Sequence, residues 1–88
     1  MSFALSVTEH LEMETMDKLL RSIYVDEYTF NGTQTGYWVI GYDEQNNVYI
    51  YFEKTESGNY VYSGFSKTMD PHAVIYNIDL VNKVITTP

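Results

Sequence analysis

The apolar residues of this chain change period once, near residue 23, and do not change back. Before that point Met13, Met16, Leu20 and Ile23, with Leu19 beside them, recur at helical spacing. After it the pattern alternates, as in YVDEY, GYWVI, VYIYF and YVYSGF, which is the spacing of a strand with one buried face. Such a chain is limited to one helix followed by an antiparallel run of strands.

The spacing predicts a helix over about residues 9–22. Ser6 and Glu9 fit the capping box S-x-x-E at its start. Lys18 and Arg21 come late, as the helix dipole favours. Glu14/Lys18 and Asp17/Arg21 stand four apart with the acid first, the better orientation. A competing signal lies upstream: Phe3, Leu5 and Val7 alternate with small residues, as a short strand would.

Turn signals divide the remainder. Asn31-Gly32 is the strongest, because a type I′ hairpin needs positive φ at both central residues. DEQNN (43–47), Ser57-Gly58, Asp70-Pro71 and the stretch from Asp79 to Lys83 follow. Six strands are expected, near 23–30, 35–42, 48–55, 60–66, 73–79 and 83–87. A two-residue turn at Asn31-Gly32 and a five-residue loop at 43–47 pair Val25 with Trp38 and Trp38 with Phe52. A two-residue turn at Ser57-Gly58 pairs Ile50 with Phe65. Residues facing each other across strands share a face. Ile23, Val25, Trp38, Ile40, Val48, Ile50, Phe52, Val61 and Phe65 then form an apolar face, suited to the helix. Tyr24, Tyr28, Tyr37, Val39, Tyr49, Tyr51, Tyr60 and Tyr62 form the reverse face. The expected fold is α+β: a single domain over residues 1–88, with one N-terminal helix packed on a twisted antiparallel β-meander of five to six strands.

Nine tyrosines need a reason. A phenol ring suits a half-wet contact surface, and tyrosine is enriched at interface hot spots. Tyr37, Tyr49, Tyr51, Tyr60 and Tyr62 are therefore candidate partner-binding residues. The alternative is internal packing in a sheet that curves until it closes on itself.

Charge points the same way. Twelve acids face five bases, a net −7. Glu9, Glu12, Glu14, Asp17, Asp26, Glu27, Asp43 and Glu44 crowd the first half, against Lys18 and Arg21 alone. With one arginine the chain lacks the basic footprint that phosphate binding needs, so no direct nucleic-acid binding is expected. Those eight acids are instead a candidate patch for a basic partner protein. In composition the chain resembles small acidic phage inhibitors of host defence nucleases. That resemblance is one of type, without an alignable segment, and it implies a patch that imitates nucleic-acid phosphates.

Chemistry-bearing motifs are absent: there is no G-x-S-x-G, P-loop or G-x-G-x-x-G. His10 stands four before Glu14, but a metal site needs further ligands. Cysteine is absent, which excludes disulfides and thiolate metal sites. No apolar run is long enough to cross a bilayer, and MSFALSVTEH lacks a leader pattern. The expectation is a cytoplasmic, non-catalytic interaction module, an inhibitor or adaptor without cofactor or membrane contact. The alternative is a homodimer or larger assembly pairing through the tyrosine face or an edge strand. A sugar stacked on the rings is a third, weaker use.

Overall fold

The computed structural model describes the backbone of residues 2–88 and the side chains from Glu9 onward. Helix α1 spans Ser2–Ile23. Six strands follow: β1 Thr29–Asn31, β2 Val39–Asp43, β3 Val48–Lys54, β4 Tyr60–Ser66, β5 Asn77–Asp79 and β6 Val84–Thr86. The α+β class and a count of six strands are present, but the first strand, expected near 23–30, is only Thr29–Asn31, and Val25, expected on the apolar face, lies before it and is exposed. Residues 2–8 are helical, not a strand, so Ser6 lies inside α1 and not at its cap; the Ser6 side chain is outside the described ones.

The strands form two three-stranded sheets. One is the antiparallel meander β2-β3-β4, and the other has the order β1-β6-β5. In the second sheet β6 pairs antiparallel with β5 and parallel with β1. The expected hairpin at Asn31-Gly32 therefore does not form. Of its two central residues only Gly32 has positive φ, at 124°, whereas a type I′ turn needs both. Asn31 instead ends β1 opposite Thr86. A side chain at Gly32 would run into the Thr87 hydroxyl.

Two bridges join the sheets into a ring. Tyr28 and Tyr60 exchange both backbone hydrogen bonds at 2.8 Å, and the Tyr76 amide donates to the Ile40 carbonyl at 2.7 Å, next to the Ile40–Ile75 bridge. The order around the ring is β2-β3-β4-β1-β6-β5 and back to β2. The chain is thus a small, partly open barrel. Closure of the sheet puts one face of every strand indoors. Val39, Val48, Ile50, Phe52 and Ile85 fill the interior together with Tyr24, Tyr28, Tyr60, Tyr62 and Tyr76.

Two registers decide which rings go inside. Asp43 pairs with Val48, so the β2–β3 loop has four residues, and Val39, not Trp38, faces Phe52. The Asp43 carboxylate accepts from the Asn46 amide at 3.0 Å, and Asn47 takes φ 55°. This local closure shortens the loop by one residue, and a slip of one flips every side chain of the strand. In the next hairpin Ile50 faces Phe65 as expected, but a bulge follows Tyr51 and Phe52 faces Tyr62. Ser63 is the extra residue, and its hydroxyl donates to the Tyr51 carbonyl at 3.2 Å. The bulge turns Tyr60 and Tyr62 inward.

The helix lies against the edge strand β4, because closure leaves no broad inner face for it to cover. Leu20 is buried, and Met16 and Ile23 pack half-buried on the core. Met13 and Leu19, expected in the buried stripe, are exposed, as is Leu11. The docking is completed by polar contacts. The Tyr62 hydroxyl donates to Asp17 at 3.0 Å, the Arg21 guanidinium donates to Asp17 at 2.7 Å, and it lies 5.3 Å from the Tyr62 ring centroid.

Candidate interaction face

The even alternation of β2 and β3 leaves Ile40, Tyr42, Tyr49 and Tyr51 on the outer side of the meander. Ile40 is buried, Tyr49 and Tyr51 are half-buried, and Tyr42 is exposed. Trp38, just before β2, shares this parity and is 60% exposed, and Tyr37 beside it is 91% exposed. The Tyr37 and Trp38 ring centroids are 5.8 Å apart at 59°, and Trp38 meets Tyr51 edge-on at 6.4 Å and 76°. Tyr42 and Tyr49 form a second pair, 4.9 Å apart. The Tyr42 hydroxyl donates to the Asn47 side chain at 3.1 Å. Five rings thus lie together on the outside of the barrel.

Of the five candidate tyrosines, the structure gathers Tyr37, Tyr49 and Tyr51 here. Tyr60 and Tyr62 are in the core, for the register reason given above. Trp38 and Tyr42 were missed: an odd loop count placed Trp38 on the inner face. A signal was present in the sequence. DEQNN and DLVNK (79–83) share the pattern D-x-x-N-x. In both, the aspartate accepts from the asparagine amide and side chain, and the fifth residue has positive φ. Reading them as one loop type would have set both hairpins at four residues.

The eight acids do not converge on one patch. At roughly 100° per residue, Glu9, Glu12, Glu14 and Asp17 spread over about 200° of the helix circumference. Asp17 is paired with Arg21, Asp26 with Lys83 at 3.1 Å, and Glu14 with His10 at 2.8 Å. The hydrogen bond from Arg21 holds the Asp17 carboxyl below its usual range. Asp43, expected at the patch, is 7% exposed and accepts the Tyr24 hydroxyl at 2.8 Å. Burial, then that bond, raises the Tyr24 hydroxyl above the ordinary phenol range. Among the described residues Glu27 receives only long contacts, from Ser57 and Asn59, at 3.4 and 3.5 Å. Glu9, Glu12 and Glu44 stay exposed and, among the described residues, outside any ion pair.

Around the rings the surface is concave. A cleft of about 490 Å³ is bordered by Tyr37, Trp38, Tyr51, Glu53 and Gly64. A second, of about 430 Å³, lies on the other side of the same three rings, beside Asp70 and His72. Among the described residues no group of three His, Cys, Asp or Glu could hold a metal ion, and no helix is long and apolar enough to cross a membrane. No protein-family model matches the chain, and neither the curated proteins nor the solved structures give a match. Function must therefore be argued from the site itself.

Proposed function

We propose that the protein is a non-catalytic interaction module that docks a basic partner protein on the outer ring face of the meander. The observation that carries this is Trp38, exposed at 60% beside Tyr37 and Tyr51 although its chain has a buried aromatic core to enter. Trp and Tyr in such a position supply large contact area at little entropic cost. The net charge of −7 favours a basic partner over a second copy, which would carry the same charge. The two bridges also occupy parts of both outer strand edges of the meander, which disfavours assembly by edge pairing. The narrower idea of a phosphate mimic draws no support from acids that are dispersed and half engaged in internal pairs.

The test compares immobilised wild type with Trp38→Ala and Tyr37→Ala in a lysate of the native host. The wild type should retain a basic protein, less so as salt rises. Both variants should lose it while melting as the wild type does. Undiminished retention by Trp38→Ala would overturn the docking face. A concentration-dependent dimer lost in the same variant would assign the face to self-association.

A further inference from the structure

We propose that the cleft bordered by Tyr37, Trp38 and Tyr51 receives the guanidinium of an arginine on the basic partner, an inference that rests on the docking face proposed above. The three rings meet at 59° and 76° and therefore present walls, not one flat platform. Ring faces attract cations, and tryptophan does so most strongly. Glu53 borders the same cleft and stands on the outer side of β3 with Tyr51. Among the described residues no ion pair engages it. A carboxylate beside a ring wall matches arginine in particular: its planar fork stacks on a ring while its N–H groups reach both carboxylate oxygens.

Among the described residues no cation of the chain stacks on these three rings. The cation–π contacts among the described residues join Arg21 to Tyr62 and Lys83 to Tyr28, both away from these rings. Lys54 also borders the cleft, as does Phe52 of the same parity, but no cation–π contact joins Lys54 to these rings among the described residues. Gly64 forms part of the border, and a Cβ built there meets nothing within 4 Å. A side chain can thus be added to block the cleft without disturbing the core.

Trp38 is the single tryptophan, so its fluorescence reports the ring face with both of its clefts, and a block at Gly64, which borders the first and not the second, tells them apart. The probe is a blocked Gly-Gly-Arg-Gly-Gly peptide, with citrulline replacing arginine as the neutral isostere. The arginine peptide should shift Trp38 emission saturably and bind about tenfold more tightly than the citrulline peptide. Glu53→Gln should remove most of that preference, and Gly64→Leu should abolish binding with the melting temperature kept. Glu12→Gln removes the same charge from a helix residue that does not border the cleft and should leave binding unchanged. Equal binding of the two peptides, or equal losses in Glu53→Gln and Glu12→Gln, would overturn the arginine site. If lysate capture still depends on Trp38 in that event, the docking face stands and only its arginine chemistry fails.

Discussion

Tyr28 and Tyr76 show how differently one residue type is used within this core. Both are buried, yet the Tyr76 hydroxyl accepts the Thr35 and Gly36 amides at 2.9 and 2.8 Å, while the Tyr28 hydroxyl has no partner among the described residues. A buried donor without a partner costs free energy, and removing a real partner strands the groups it served. Tyr28→Phe should therefore unfold at the same or higher denaturant concentration. Tyr76→Phe should lose roughly 1–3 kcal/mol and loosen residues 32–38, the segment that delivers Trp38. Both are read by equilibrium denaturation, the loosening by amide exchange at Thr35 and Gly36. Gly41 lets the two sheets approach closely, since an added Cβ would lie 2.5 Å from Ile78 Cγ1. Gly41→Ala should cost about 1–3 kcal/mol through overpacking.

At the scale of elements, the two D-x-x-N-x loops share one geometry but not one environment. Asp43 is buried and also holds Tyr24, whereas Asp79 is exposed at the end of β5. Asp43→Ala should cost roughly 1–3 kcal/mol, and Asp79→Ala less, in the same unfolding measurement. The helix is similarly uneven. Its stripe of apolar residues was legible, but the side of the barrel against which it would rest was not. Leu20→Ala should cost about 2–5 kcal/mol. Leu11→Gln, on the exposed stretch, should stay within about 0.5 kcal/mol of wild type. Strand positions were legible from alternation and turn residues. The parity of Tyr60 and Tyr62 was not, because the bulge at Ser63 leaves the alternation of YVYSGF intact while flipping its partners.

At the scale of the whole molecule, the paired groups set the pH range of stability. Asp17 and Asp79 have lowered folded-state pKa values, from the Arg21 hydrogen bond and from the Asn82 amide respectively. A depressed carboxyl contributes stability above its unfolded value and loses it as pH falls through the folded one. The acid loss therefore belongs below about pH 4, and Arg21→Gln should flatten the part owed to Asp17. The hydroxyls of Tyr24, Tyr28 and Tyr62 are raised, mainly by burial. A raised group contributes stability below its unfolded value and loses it as pH rises through the folded one. Above about pH 10 tyrosinate absorbance should therefore include a cooperative step that coincides with unfolding. A smooth titration with no such step would show those rings accessible.

Composition, period and turn residues determined a great deal alone: the α+β class, a count of six strands, the acidity, and a surplus of rings needing a location. These are local properties, because propensity and alternation act over neighbouring residues. Closure of the two sheets, the parallel β1–β6 pair and the sorting of rings between core and outer face were decided only by tertiary structure. Each depends on register, and a single bulge or loop residue can reverse a register while leaving the hydrophobic pattern unchanged.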